Sequence, residues 1–416
     1  MEFIKYFNYL ISLIFVACYS YQLFFVLVPF FKKAKPHKDE RLHRYAVLIC
    51  ARNEQAVIAN LIESIKSQHY PEKLITIFVV ADGCTDNTAL IAQRAGAKVY
   101  TRNNPSLVGK GYALNFLLNN IKEDYPADSF EGYFVFDADN VLSENFVLEM
   151  NRTFSDGYEI VTGYRNSKNY GENWVSAGYA LWFLRESKFL NNSRFLMNTS
   201  CAVSGTGFMF SDRILKEMGG WDFFLLTEDI EFSIYNVLHK NKIGYCEKAE
   251  FFDEQPTTFA QSWRQRLRWA KGYLQVFQKD GRQLVKNIFT NFDFACYDMT
   301  MSIMPAVVLT VLSIVVNAIF STVGIFSGQD VGILGLSILE SIYNAYMLLF
   351  YLGAITTLSQ WKQIHTPWYK KILYTFSFPI FMLSYIPISV SAMFCNVTWQ
   401  PIVHSDTKNL ARIRQD

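Results

Sequence analysis

Charge is what this chain has least of: Asp, Glu, Lys and Arg make up 18% of its 416 residues, and none falls between Tyr6 and Phe31. A soluble domain of this length carries more, so part of the chain is expected in lipid. Paired cysteines are also missing. Seven are scattered without a C-x-x-C spacing (Cys18, Cys50, Cys84, Cys201, Cys246, Cys296 and Cys395), which excludes a zinc ribbon or a disulfide framework and predicts free thiols in a reducing compartment. No long basic run occurs away from the apolar segments, and the formal net charge is only +2, so no nucleic-acid partner is expected. A phosphate-binding Walker loop is absent too. Gly109-Lys110-Gly111 lacks the upstream glycine and the following Ser or Thr.

Apolar and aromatic residues fill the gap, at 51% and 16%. Tyr6–Phe31 is long enough to span a bilayer, too long for a signal-peptide core, and has no small-residue cleavage site after it. Lys32, Lys33, Lys35, Lys38, Arg41 and Arg44 follow directly, which predicts that the next segment faces the cytosol. Two further spans are expected at Met299–Phe326 and Val331–Leu358, joined by the turn Ser327-Gly328-Gln329-Asp330 on the outer side, with Lys362, Lys370 and Lys371 marking the return. A fourth apolar stretch, Ile372–Cys395, contains Pro379 and Pro387, and admits either one kinked crossing or two re-entrant halves. Hence the side of the membrane occupied by the tail stays open. Glu340, inside an expected span, is either pore-lining or packed on a partner.

Between Tyr45 and about Asp253 the pattern is α/β. Tyr45–Cys50, Ile75–Val80 and Gly132–Phe136 read as buried strands, and each ends in polar residues: Arg52-Asn53-Glu54, Asp82-Gly83, and Asp137-Ala138-Asp139. Ligands bind at that edge of an open α/β sheet. Asp137 and Asp139 are suited to a divalent cation, since hard cations take oxygen ligands; a D-x-D turn without a metal gives the same spelling. Asp82 is a candidate nucleoside contact or simply an Asx turn before Gly83. Lys110 is a candidate phosphate contact. Glu228 and Asp229 read either as first-turn charges of a helix beginning near Ile230 or as a catalytic carboxylate.

From Phe259, apolar residues recur at Trp263, Leu267, Ala270, Leu274 and Phe277, one stripe of a helix, with Arg264, Arg266, Arg268 and Lys271 on the remaining surface. Such a helix is expected to lie along the bilayer. Gln265, Arg268 and Trp269 share the opposite face, where the guanidinium suits a diphosphate and the indole a sugar ring.

The ordered set Asp82, Asp137-Ala138-Asp139, Thr227-Glu228-Asp229 and Gln265-Arg266-Leu267-Arg268-Trp269, followed by membrane helices, resembles the inverting family 2 glycosyltransferases, in particular the membrane-integrated synthases of cellulose, hyaluronan, chitin and poly-N-acetylglucosamine. The resemblance implies a cytosolic GT-A (Rossmann-like) domain over 32–256, after a membrane helix at 1–31 and before interfacial helices at 257–298, membrane helices at 299–396 and a tail at 397–416. It implies Mg2+ or Mn2+ on Asp139. Arg52, Asn53, Glu54, Asp82, Lys110, Asp137, Gln265 and Arg268 are then donor contacts, Asp229 the base, and Ser204, Gly205, Thr206, Glu228 and Trp269 acceptor contacts. The Ser204–Gly207 loop departs from the Cys-rich version of cellulose and chitin synthases, and the tail leaves no room for an appended regulatory domain. The implied activity is processive synthesis and secretion of a β-linked glycan from a UDP-sugar at the plasma membrane. The expected product is a cellulose-like or mixed-linkage glucan from UDP-glucose; the alternatives are a poly-N-acetylglucosamine or hyaluronan-type polymer from UDP-N-acetylglucosamine, and non-processive transfer to a lipid carrier. Besides donor, glycan and bilayer, a second copy or an accessory subunit is a possible partner, because so few spans make a narrow pore.

Overall fold

A computed structural model describes residues 2–37, 41–125, 130–327 and 332–415. Lys38, most of the expected outer turn (328–330) and the first residue of the expected span after it (331) lie outside the described residues. Eight strands form one mixed sheet: β1 (Tyr45–Ala51), β2 (Ile75–Asp82), β3 (Lys98–Arg102), β4 (Gly132–Asp137), β5 (Val141–Leu142), β6 (Ile160–Ser167), β7 (Phe208–Ser211) and β8 (Ile243–Asp253), in the order β3-β2-β1-β4-β7-β6-β8-β5. The first four positions are parallel; β7 runs antiparallel to both β4 and β6.

Why β1 carries no polar alternation is plain from its two faces. Tyr45, Val47 and Ile49 point into one core with Leu61, Ile62 and Ile65, whereas Ala46 and Leu48 point into the other with Leu114, Leu117 and Leu181. A strand covered on both sides must be apolar throughout. One cover comes from α2 (Ile58–Lys66), α3 (Thr88–Arg94) and, further along, α5 (Phe146–Ser155). The other comes from α4 (Lys110–Asp124), α6 (Trp174–Arg185) and α9 (Glu228–Leu238). α4 begins at Lys110, and a Cβ on Gly111 would stand 1.9 Å from the Phe223 carbonyl oxygen. Only glycine allows that approach.

α1 (Glu2–Phe31) reaches the sheet domain through its second half. The Phe25 carbonyl accepts from Ser193 Oγ at 2.7 Å, and Gln22 accepts from Arg185 at 2.8 Å. Its first half pairs with α12 (Pro305–Phe326): Asn8 and Asn317 exchange side-chain hydrogen bonds at 3.0 and 2.8 Å, and the Tyr19 hydroxyl binds the Ala306 N–H at 3.0 Å. Among the described residues, four apolar helical segments are long enough to cross a membrane: Tyr6–Phe31, Val308–Phe326, Ile338–Ser359 and Trp368–Phe394. Glu340 is exposed on α13 (Gly332–Ser359).

The last of those segments is broken at Ser384 into α14 (Trp368–Leu383) and α15 (Tyr385–Phe394). Both outer ends meet the sheet domain. Lys370 donates to the Gly171 carbonyl at 2.7 Å, and beyond α15 the Ser405 and Asp406 amides donate to the Glu254 carboxylate at 2.8–3.1 Å. Both outer ends of the broken segment, and the tail beyond it, therefore lie against the sheet domain.

Two expectations for the long helix α10 (Phe259–Asn291) are corrected. Its apolar stripe faces α15: Trp263, Leu267, Ala270 and Leu274 cluster with Ile388 and Ala392. A helical stripe asks for an apolar partner, and here another helix takes the place assigned to the bilayer. Nor is Arg266 on the surface. It is fully buried, donates to the Phe381 carbonyl at 3.0 Å and Ser384 Oγ at 2.8 Å, and lies over the Phe381 ring at 4.3 Å. That site sits at the α14–α15 break, where Arg266 and the Ser384 hydroxyl share the Phe381 carbonyl at the helix end.

A buried ion pair ties membrane helices to the domain. Arg194 Nε and Nη2 donate to both oxygens of Asp298, in α11 (Phe294–Ile303), at 2.6 and 2.9 Å, and the Tyr21 hydroxyl adds a third bond at 2.8 Å. The two side chains are 3% and 0% exposed, so Asp298→Ala strands a buried guanidinium. The expected loss is about 3–5 kcal/mol, read as a lowered unfolding midpoint of purified protein in detergent, whereas Arg213→Ala, which removes an exposed pair with Glu217, costs under about 1 kcal/mol.

Candidate active site

The loops at the carboxyl ends of β1, β2 and β4 open into one pocket, closed from above by α10. β1 delivers Arg52 and Glu54, β2 Asp82, and β4 Asp137 and Asp139. Ser204 and Gly205 enter from the loop before β7, Glu228 and Asp229 from the first turn of α9, which starts two residues ahead of the expected Ile230, and Gln265, Arg268 and Trp269 from α10. Thirteen of the fifteen residues singled out from sequence therefore line one cavity.

Asn53 and Thr206 do not line it, and both hold the loops that do. Asn53, at φ 58°, accepts from the Thr85 amide at 2.8 Å, tying the β1 loop to the β2 loop. Thr206 Oγ1 accepts from the Asp137 amide at 2.9 Å and donates to Asn140, fixing the D-x-D turn from below. Gly205, at φ 78°, brings the backbone against the catalytic turn, where a Cβ would lie 3.7 Å from Asp229 Oδ2.

Asp82 is salt-bridged to Arg102 at 2.6 Å. Lys110 bonds Asp137 and the Gly205 carbonyl, the latter at 2.6 Å. Burial opposes the lysine's charge, but Asp137 and Glu228 outweigh it and raise its pKa. Asp139 is buried and accepts from the Glu254 amide at 2.8 Å. Burial works against its charge as well, yet His404, Lys168 and Arg165 hold it below its ordinary range. It is therefore ionised. Among the described residues no three His, Cys, Asp or Glu side chains converge as a ready-made metal cage. A hard cation bound partly by phosphate oxygens needs only one or two protein carboxylates, so Asp139 fits that mode.

Glu228 and Asp229 sit side by side. Burial, and then the charge of Asp229, push Glu228 to about 7, and burial raises Asp229 too, while Arg268 and Lys110 oppose. Arg268 donates to the Leu226 carbonyl at 2.6 Å, bracing the loop before them. Gln265 Oε1 is buried without a protein partner, as an amide awaiting a ligand would be. Trp269 turns away from the α15 side and stands edge-on to Tyr179 and Phe183, at 5.7 and 6.2 Å, making an aromatic wall.

Sequence reading missed a second group. Arg165 binds Asp253 and the Ser204 carbonyl; Glu186 takes the Ser204 hydroxyl. Glu186 opens a π-helical turn, Glu186–Asn191, beyond α6, a register change no periodicity announces. Trp399, Pro401, Ile402 and His404 also line the pocket, from the tail. His404 Nδ1 is 3.0 Å from Glu54, and although burial lowers its pKa, Asp139, Glu54 and Glu254 raise it to about 10. Trp399 lies against Arg52 at 5.6 Å.

A mixed α/β sheet with carboxylates, basic side chains and an aromatic wall gathered at its strand ends has the layout of an enzyme that takes a polar substrate at the carboxyl edge of its sheet. Residues 43–272 match the model for glycosyltransferase-like family 2, and the chain belongs to that family. It is 26% identical over 267 residues to a poly-β-1,6-N-acetyl-D-glucosamine synthase of Staphylococcus epidermidis, covering 62% of this chain and 63% of that protein. It is also 26% identical over 237 residues to a β-monoglucosyldiacylglycerol synthase of Synechocystis, covering 56% and 48%. The chain thus spans about half to three fifths of the length of these relatives. Its fold resembles a mannosyltransferase of Pyrobaculum calidifontis in complex with GDP-mannose and Mn2+ (TM-score 0.58, 14% identity, 92% of this chain and 98% of that one). The sheet is a GT-A-like glycosyltransferase fold, and the protein is a family 2 glycosyltransferase.

The carboxylate pair predicts a pH profile. If Asp229 accepts the proton, it must be ionised, and burial raises its pKa, so turnover should climb with pH only above the usual carboxylate range. Burial and then the charge of Asp229 raise Glu228, so a second ionisation follows the first; Glu228→Gln removes it, and the kcat profile should lose its upper step. A profile that keeps its shape shows the two carboxyls to be uncoupled.

Proposed function

We propose that the chain is a membrane-bound inverting transferase that moves a hexosyl group from a UDP-sugar to the hydroxyl of a growing β-linked glycan. The observation that carries the reading is the convergence of Asp229, Asp139, Arg268 and Trp269 on one pocket. Asp229 takes the proton of the acceptor hydroxyl as its oxygen attacks the anomeric carbon. The new glycosidic bond forms as the carbon–oxygen bond to the diphosphate breaks, and the electron pair leaves on UDP. One displacement inverts the anomeric centre. Arg268, Lys110 and Gln265 face the leaving diphosphate, and Trp269 and Phe183, with Tyr179 packed behind them, offer apolar faces for the acceptor sugar. Arg52 and Asp82 take the nucleoside side. Asp139, with Asp137 beside it, would hold a divalent cation, which neutralises charge on the diphosphate; the Mn2+ in the mannosyltransferase complex supports this choice.

Poly-β-1,6-N-acetylglucosamine synthase among the relatives favours UDP-N-acetylglucosamine as donor and a processive polymer as product, in place of the glucan expected at first. A second reading is glucosyl transfer to a lipid. It draws on the glucosyldiacylglycerol synthases, which match at the same identity. In the membrane, α1, α12 and α13 would cross, while α14 and α15 form the re-entrant pair, leaving the catalytic domain and the tail together in the cytosol of a plasma-membrane protein.

Purified protein with Mn2+ or Mg2+ and a panel of UDP-sugars tests this. UDP release with UDP-N-acetylglucosamine and a high-molecular-weight product is expected; a glucosylated lipid from UDP-glucose supports the second reading. Asp229→Asn should lower kcat by about 10²–10⁴, and Asp139→Ala should abolish metal-dependent release. Unchanged release in both variants overturns the mechanism.

A further inference from the structure

Away from the active site, α1, the end of α7 (Asn192–Leu196) and the turn into α11 enclose an open cavity of about 560 Å³. That volume lies within the range of small-molecule sites, roughly 300–1,000 Å³. One wall is aromatic: Phe24, Phe25 and Phe294. The rim is basic. Lys240 and Lys242 line it, and Lys32 reaches over Met197 at 3.4 Å. Against these stands Asp293, which Lys240 contacts and which spends its other oxygen capping the Ala295 and Cys296 amides at 2.9 and 3.3 Å. Lys242 donates to Asn198 at 2.7 Å. The rim therefore carries a net positive charge.

The depth of the cavity says what fills it. Tyr19 is level with the start of α12, through its bonds to the Ala306 N–H and the Met301 carbonyl. Residues 21–25 lie about 3–9 Å further along α1, at 1.5 Å per residue, toward the catalytic domain. If α12 enters the hydrocarbon at its first turn, that depth is the headgroup layer, about 5–8 Å thick on each side. Beside the cavity, Phe292 is 89% exposed and Phe289 74% exposed. Aromatic side chains of that exposure, next to lysines, suit a membrane–water interface.

We propose that this cavity binds one anionic phospholipid, with its phosphate on Lys240 and Lys242 and an acyl chain along Phe24, Phe25 and Phe294. The inference rests on the membrane placement given above and not on the transfer reaction. A zwitterionic lipid gains less from the rim, since each lysine near an anionic surface contributes attraction only where net negative charge is present. Because the cavity is built from α1, α7 and α11 together, an occupied site would bind the membrane helices to the domain.

The test needs no turnover. Full-length protein in mild detergent is given equimolar phosphatidylglycerol and phosphatidylcholine of identical acyl chains, and retained lipid is counted by native mass spectrometry. One phosphatidylglycerol is expected per chain, in preference to phosphatidylcholine. Lys240→Gln with Lys242→Gln should weaken it about tenfold or more, and Ala295→Leu, which narrows the cavity without touching charge, should also weaken it. Arg282→Gln with Lys286→Gln, the same change of charge on exposed positions of α10 outside the cavity, should leave it intact. Equal losses in both double variants, no preference between the lipids, or competition by glycerol 3-phosphate as effective as by the intact lipid each overturns the proposal. A protein that binds the lipid as described but releases no UDP leaves this site standing and removes the catalytic reading alone.

Discussion

The contact between Arg194 and Asp298 decides how the two halves of this protein are related. One partner belongs to the sheet domain, the other to the helix that leads into the membrane region, and Tyr21 of α1 closes the third side. Two charges so deeply buried are tolerated only when each satisfies the other, so the pair admits one arrangement of the three elements. α10 runs between α9 on one side and α15 on the other, with Val276 and Leu284 packed beside Ile234 and Val237. Its position over the pocket is thereby set from both ends. The roof of the active site is a helix whose place depends on how the membrane helices are anchored.

The floor follows from a different constraint. Parallel strands end in loops at one edge, and here three neighbouring strands each end in acidic or basic side chains. Collecting so many carboxylates in one cavity would be costly without counter-charges. Arg102 on Asp82, Lys110 on Asp137, and Arg165 on Asp253 supply them. His404 adds charge beside Asp139 from a segment distant in sequence, so that the tail and the strand edge share one electrostatic network. Asp229 and Glu228 are left with the least direct compensation, which is the condition a proton acceptor needs.

What could be read from the sequence was what periodicity and strand-end spacing encode. The buried strands Tyr45–Ala51, Ile75–Asp82 and Gly132–Asp137 announced themselves by uninterrupted apolar runs, and the acidic ends marked the ligand edge. The Gln265, Arg268, Trp269 face emerged from helical spacing alone. Two kinds of information were not available. An apolar stripe does not say whether lipid or another helix will cover it, and α15 took the stripe of α10. Interactions across hundreds of residues left no local signal: Arg266 buried in the α14–α15 break, Glu186 delivered by a π-helical turn, and Trp399 and His404 folded back from the tail. The proline-bearing stretch after Lys371 left its course open, and the contacts that bring both of its ends to the sheet domain join residues far apart in sequence.

The central claim is that one carboxylate, Asp229, drives a single displacement at the anomeric carbon. The most direct test is the anomeric configuration of the first bond formed, read by proton NMR on product made by purified protein from whichever α-linked UDP-sugar it turns over. A β-linkage appearing from the earliest time points is the predicted result. An α-linkage would mean two displacements or a front-face reaction, and would contradict the role assigned to Asp229.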